Sequence, residues 1–369
     1  MNVIHIVRDL DIASGGPSRS VPALAQSQSL LENVTVQVLF RDRGNPMVHV
    51  ADSAVEYKPF SGNLKDSIAY SGRDGTTVLH LHGLWSPNLH RAARFAHKHT
   101  TPYVVSTRGM LANWALGHKA LKKKIAWKLY QQRDLENAAG LVASSELERR
   151  DTEVLLPGSR VVVIPNGCDP RPDIIADHHA LPMDSNVRWA LAMGRLHPVK
   201  GYAELIAAWA AVRPAGWQLG IAGPDEDGYR ATLEALIREN GLKGQVHLLG
   251  EVDDTLKWSL LDQAELFLAP SKTENFGMAI AEALQSGTPV ITTKGTPWRE
   301  LTEQDCGWWI DHGSHALERT LAEATAYGAE TLRAKGGNGH RLIREKYTWE
   351  RVAASTIELY RSLLKGKKQ

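Results

Sequence analysis

Ser271-Lys272-Thr273-Glu274-Asn275-Phe276-Gly277-Met278-Ala279-Ile280-Ala281-Glu282-Ala283-Leu284 sets two carboxylates around the start of a helix. Residues 264–269 before it read as a buried strand, 270–275 as its exit loop, and 276–285 as a helix closed by Gly287 and Pro289. Unpaired N–H groups in the first helical turn and the positive end of the dipole suit a diphosphate. Glu274 in the loop and Glu282 deeper in the helix can accept hydrogen bonds from sugar hydroxyls. Taken alone, two such glutamates read better as solvated carboxylates on a surface helix. The rest of the chain changes that weighting.

Outward from this segment, short apolar runs alternate with helical patterns. Runs at 3–7, 34–40, 78–82, 103–106, 141–143 and 161–164 form one series. Runs at 189–193, 218–222, 246–249, 266–269 and 289–292 form a second. This alternation predicts an α/β chain of two Rossmann-like domains with parallel sheets, facing each other across a cleft at the carboxyl ends of their strands. Boundaries are expected at 1–168 for the first domain, 169–186 for a Pro-rich linker and 187–348 for the second domain. G-x-G-x-x-G is absent after the first strand, which counts against a dinucleotide oxidoreductase. Gly15-Gly16 there allow backbone to approach a phosphate or sugar closely, or simply make a turn.

Cations and histidines fall at strand ends. Arg195 follows Gly194, and Lys200 opens the next helix beside Gly201, so both can converge on one diphosphate and stabilise charge on a leaving group. His80 and His82 alternate with apolar residues on one strand, with His82 nearer its carboxyl end; a structural histidine is the reading for His80. Arg108 ends the following strand, where it reaches an anion or braces its loop through a carboxylate, with nothing to separate the two. Asp253-Asp254 reads as a helix cap rather than a metal motif, and Gly250 and Val252 before it as a wall for a nucleotide base.

The loop P-S-x-x-E-x-F-G at 270–277, with E-A-L at 282–284 and G-T-P-V-I at 287–291, resembles the donor site of retaining family-4 glycosyltransferases of the two-domain GT-B fold. Gly194-Arg195 with Lys200-Gly201, Ile164-Pro165-Asn166-Gly167 and Gly15-Gly16-Pro17 fall in the order and spacing of that family. The resemblance implies a retaining hexosyltransferase that needs no metal or other cofactor. Its donor would be a UDP- or GDP-hexose and its acceptor a lipid-linked glycan of a bacterial surface polysaccharide. It places Glu282 on the ribose, Glu274 with Asn275 and the Phe276-Gly277-Met278 backbone on the sugar, and Arg195 with Lys200 on the diphosphate. It also places His82, Gly15 and Gly16 near the donor sugar and Trp85 and Arg108 near the acceptor. A terminal helix at about 349–369 would cross back onto the first domain. A sugar-nucleotide epimerase of similar fold and a silent sugar-binding module are the rival classes. The intact charged set opposes the module, and no acid–base pair for proton abstraction supports the epimerase.

Composition agrees with a soluble enzyme: 369 residues, 43% hydrophobic and 23% charged, suffice for two ordinary cores. A net charge of +2 gives no global field for nucleic acid. Cys168 and Cys306 match no disulfide or metal spacing, which points to a reducing, cytoplasmic setting. Residues 1–7 read as a strand rather than a signal peptide. Residues 114–135 carry Lys119, Lys122, Lys123, Lys124 and Lys128, with Trp114, Leu121, Ile125 and Leu129 on one helical face. This pattern permits peripheral docking on the inner, anionic face of the cytoplasmic membrane, but more often marks a half-buried helix with a solvated basic side.

Overall fold

The computed structural model describes residues 1–12, 15–47, 54–59, 67, 76–117, 119–172 and 187–365. Most of the expected linker, 173–186, lies outside them. The chain divides into two compact units, Met1–Gly167 with Trp349–Gln369, and Cys168–Thr348.

The first unit is built on a parallel sheet of β1 (Asn2–Val7), β2 (Thr35–Phe40), β3 (Glu56–Pro59), β4 (Thr77–His82), β5 (Tyr103–Ser106), β6 (Gly140–Ala143) and β7 (Val161–Val163). Their spatial order is β3-β2-β1-β4-β5-β6-β7. Central strands such as β1 are apolar along nearly their whole length because helices cover both faces of a parallel sheet. In the β1–β4 register His5 lies opposite His80, and Val7 opposite His82. The helix Trp349–Lys365 packs on this unit, where Val352, Ile357 and Tyr360 share a core with Val3, Leu24 and Val78.

The second unit holds β8 (Arg188–Met193), β9 (Trp217–Ala222), β10 (Val246–Gly250), β11 (Leu266–Ala269), β12 (Val290–Thr293) and β13 (Gly307–Ile310), all parallel, in the order β10-β9-β8-β11-β12-β13. The helix Tyr202–Val212 buries Tyr202, Leu205, Ile206 and Trp209 against it.

Residues 113–136 are not one helix. Asn113–Gly117 ends in a break at Lys119, which is left-handed at φ 53°. The helix restarts at Ala120–Ala126 and runs through a π turn, Trp127–Gln131, into Gln132–Glu136. Only its last part is core, where Gln131, Asp134 and Leu135 are buried. Trp114, Leu121, Ile125 and Leu129 are 55%, 73%, 52% and 76% exposed, so the half-buried alternative does not hold. Among the described residues no helix is long and apolar enough to cross a membrane.

Candidate active site

In the second unit, two loops are joined into one structure. After β8 the chain turns at Gly194, makes a short 3-10 turn at Pro198–Lys200, and enters the helix Tyr202–Val212. Gly201 has φ 72°, and a Cβ there would lie 2.2 Å from the carbonyl oxygen of Pro270, so only glycine lets this turn touch the loop after β11. Lys272 N–H donates to the Val199 carbonyl at 2.8 Å across the same seam. Lys200 then reaches Glu274, Nζ to Oε1 2.5 Å, and Ser271 Oγ donates to the same oxygen at 2.9 Å.

Arg195 is more exposed and is held by both oxygens of Glu226, at 2.5 and 2.6 Å. Each of the two expected phosphate cations therefore has its own carboxylate partner. The helix expected at 276–285 begins at Met278, capped by Gly277 at φ 85° with no side-chain hydrogen bond, so its first-turn N–H groups have no capping acceptor. Asn275 and Met278 are half-buried at this start. The Phe276 ring is core: it packs on Trp298 and Tyr347, and its carbonyl accepts from Trp298 Nε1. That leaves the N–H groups of 276–278, not this ring or carbonyl, for a sugar.

Glu282 lies on the same helix, half-buried, with Lys257 Nζ 2.8 Å from its Oε1. Burial pushes its carboxyl above the ordinary range while Lys257 pulls it back. Burial opposes the Lys257 charge, but Glu282 and Asp254 outweigh it and raise its pKa. Asp253 caps the helix Asp254–Gln263 by accepting from Leu256 N–H at 2.8 Å. Gly250, at φ 79°, accepts from Gly223 N–H at 2.6 Å, and Val252 packs against the buried cluster that holds Leu191, Trp258 and Phe276.

In the first unit, Gly15 caps the helix Gly16–Ser29, again with no side-chain cap, at φ 78°, and a Cβ at Gly15 or Gly16 would meet open space. His82 departs from its expected role. Its side chain is buried, and Arg108 Nη2 donates to its Nδ1 at 3.0 Å. A neutral ring accepting there carries its proton on Nε2, which lies 2.8 Å from His5 Nδ1; His5 Nε2–H then donates to Gln28 Oε1 at 2.7 Å. His80 bonds Tyr360 and Ser106 on its two nitrogens, as a structural histidine. Burial lowers all three pKa values, His5 to about 4, with Arg108 adding to the effect. Both ring nitrogens of His82 are thus engaged within the protein.

Arg108 is likewise a brace. It is left-handed at φ 55° and also donates to Ser20 Oγ and Asn166 Oδ1. Burial lowers its pKa to about 10, so it stays charged at neutral pH. Buried Glu148 holds the loop on either side of it, accepting from Thr107 Oγ1 and Gly109 N–H, both at 2.5 Å, and from Ser144 N–H at 2.7 Å. Trp85 is left-handed at φ 65°, its N–H donating to Gln131 Oε1 at 2.7 Å, and lines a cavity at the end of β4.

Residues 15–167 match the model described as glycosyl transferase 4-like domain, and residues 173–336 the one described as glycosyl transferases group 1. The chain belongs to the family-4 glycosyltransferases. It is 26% identical to the GDP-mannose:cellobiosyl-diphosphopolyprenol alpha-mannosyltransferase of Xanthomonas oryzae pv. oryzae, over 99% of this chain and 97% of that one. Among solved structures, sucrose-phosphate synthase from Thermosynechococcus elongatus superposes with TM-score 0.81 at 19% identity, covering 99% of this chain and 100% of that one. The Anabaena protein HepE, crystallised with UDP and glucose, gives TM-score 0.72 at 18% identity, covering 98% and 100%. These structural likenesses establish the GT-B fold.

For this glycosyltransferase, sequence reasoning missed Lys257, Glu226 and Glu148. Glu148 had a signal, since Ser145-x-x-Glu148 is a capping-box pattern and Ser145 does accept from Glu148 N–H. The partners of Glu282 and Arg195 had none, because they come from another helix and another loop of the same unit, 25 and 31 residues away.

Proposed function

We propose that this glycosyltransferase moves mannose from GDP-mannose, with retention and without a metal, to a hydroxyl of a polyprenyl-diphosphate-linked glycan in bacterial surface polysaccharide assembly. The observation that carries the reading is the loop pair of the second unit. Lys200 and Glu274 are set together 2.5 Å apart beside an uncapped helix start, and Glu282 lies further along that helix. Full-length likeness to an enzyme named for GDP-mannose and a diphosphopolyprenol acceptor supports the choice of donor and acceptor.

In this reading Glu282 holds the ribose hydroxyls. Glu274 and the N–H groups of Phe276, Gly277 and Met278 hold the hexose. Lys200 and Arg195 exchange their carboxylate partners for the diphosphate and stabilise its charge as the glycosidic bond breaks. The acceptor hydroxyl attacks the face that the leaving phosphate vacates, and that phosphate takes the proton.

The acceptor's lipid would bring the enzyme to a membrane. Exposed Trp114, Leu121, Ile125 and Leu129 lie among Lys119, Lys122, Lys124 and Lys128, and none of these lysines is paired among the described residues. Two copies meeting on this face would set lysine against lysine; an anionic lipid surface satisfies both the charge and the apolar stripe.

Incubation with GDP-mannose, UDP-glucose and other nucleotide sugars, with and without a lipid-diphosphate oligosaccharide, tests the reading. Mannosyl transfer giving an α-linkage, undiminished in EDTA, is expected. An epimer formed without acceptor would instead make the protein an isomerase. Loss of turnover in EDTA with recovery on adding Mg²⁺ would remove the charge role given to Lys200 and Arg195.

A further inference from the structure

A cavity of about 650 Å³ opens at the carboxyl ends of three adjacent strands of the first unit. Arg8 directly follows β1, Arg41 and Arg43 follow β2, and Gly83-Leu84-Trp85 follow β4; Arg91 enters from the helix Pro87–Lys98. Four guanidinium groups therefore line one cavity. The carboxylate that reaches them, Asp9, is buried and lies 3.1 Å from Arg8 and 3.1 Å from Arg43. Arg41 and Arg91 have no ion pair or side-chain hydrogen bond among the described residues. Converging like charges repel, and the excess of positive charge calls for an anion with several oxygens, which guanidinium forks bind two at a time. Leu84, Leu89, Met110 and the strained Trp85 supply an apolar wall beside the charge.

We infer that this cavity binds the diphosphate of the acceptor, with Arg41 and Arg91 as its principal partners and Arg8 and Arg43 set by Asp9. The role expected of Arg108 passes to these four side chains, since Arg108 is engaged by His82, Ser20 and Asn166. The inference rests on the transferase reading for the source of the diphosphate, while the anion site itself rests on the arginines alone.

The test is calorimetry on the full chain carrying Arg195→Ala and Lys200→Ala, which silences the cations of the second unit, with pyrophosphate and glucuronate as probes. Pyrophosphate should bind, more weakly as salt rises, and adding Arg41→Ala with Arg91→Ala should weaken it about tenfold or more. Absence of pyrophosphate binding, or glucuronate binding as tight as pyrophosphate, would overturn the assignment. A second arm uses the otherwise native chain and measures KM for a lipid-diphosphate oligosaccharide and for the same oligosaccharide on an alkyl chain. Arg41→Ala with Arg91→Ala should raise the first about tenfold or more and leave their ratio near one. An equal rise for both acceptors, or none for either, would refute the site while leaving mannosyl transfer intact. Pyrophosphate binding that depends on these arginines in a chain that does not use GDP-mannose would uphold the site and refute the GDP-mannose reading.

Discussion

Lys257 Nζ lies 2.8 Å from Glu282 Oε1, with each side chain only 15% exposed. Burial pushes the Glu282 pKa up, and the Lys257 charge and hydrogen bond pull it down. In Lys257→Met the folded pKa of Glu282 should rise further, so nucleoside diphosphate binding should weaken as pH falls from 8 to 6. Wild-type affinity should hold over the same range. Losing the charge-assisted bond should also cost about 1–3 kcal/mol of stability. Calorimetry at both pH values checks this, and a pH-independent variant would mean that Glu282 acts without its charge.

Lys200 and Glu274 touch each other but should fail differently. Lys200→Ala should depress turnover more than donor binding, because the charge it meets grows in the transition state. Glu274→Ala should spare binding of the free nucleoside diphosphate and weaken the intact sugar donor, by about 1.5–3 kcal/mol for a bond to a charged acceptor. Titration with both ligands separates the roles, and equal losses in Glu274→Ala would remove it from the sugar.

The three buried histidines make stability depend on pH with a definite sign. His5 titrates near 4 in the folded chain against 6.5 when unfolded, so the unfolded chain binds the proton first as pH falls. The stabilisation is complete above 6.5 and is lost as pH falls towards 4. From this ring alone, unfolding free energy should be about 2 kcal/mol lower at pH 5 than at pH 7.5. His80 and His82 act in the same direction. Denaturant titrations across this range check it, and a flat profile would mean that the rings are solvated.

Gly201→Ala should cost about 2–4 kcal/mol. The new methyl group must displace the Pro270 carbonyl, and a left-handed backbone strains alanine even if it does. Scanning calorimetry should show a lower transition temperature, with activity reduced through Lys200. An unchanged transition would mean that the loop seam is loose in solution.

Leu121→Gln, Ile125→Gln and Leu129→Gln together should abolish flotation with vesicles rich in phosphatidylglycerol, and Lys122→Glu, Lys124→Glu and Lys128→Glu should do the same. All six side chains lie on the surface, so thermal stability should change little. Binding of the native chain to neutral and anionic vesicles alike would exclude the electrostatic part of this surface.

The strands that both faces bury were legible because parallel pairing demands continuous apolar runs. β3 and β13 were not. Glu56-Tyr57-Lys58-Pro59 is a sheet edge, where charge and proline are tolerated and erase the strand pattern, and Gly307-Trp308-Trp309-Ile310, opened by a glycine, is an edge of the other sheet. At the site, Lys200, Glu274 and Glu282 could be named because loop motifs preserve local order. The role of Arg108 could not, because its partners Ser20, His82 and Asn166 come from three distant segments. Nor could sequence order reveal that Arg8, Arg41 and Arg91 share a cavity, which depends on β1, β2 and β4 being neighbours.

The chain leaves the first unit at Gly167 and re-enters it at Trp349, and the two ends of the second unit are stitched together, Cys168 N–H donating to the Tyr347 carbonyl at 2.7 Å. The second unit is thus an insertion with adjoining ends, the geometry that lets an inserted body fold without waiting for its host. The host does have to wait. Tyr360, which bonds His80, follows the whole second unit in the chain. The first unit should therefore begin to emerge before the second and be completed after it, once the helix Trp349–Lys365 covers Val3, Leu24 and Val78.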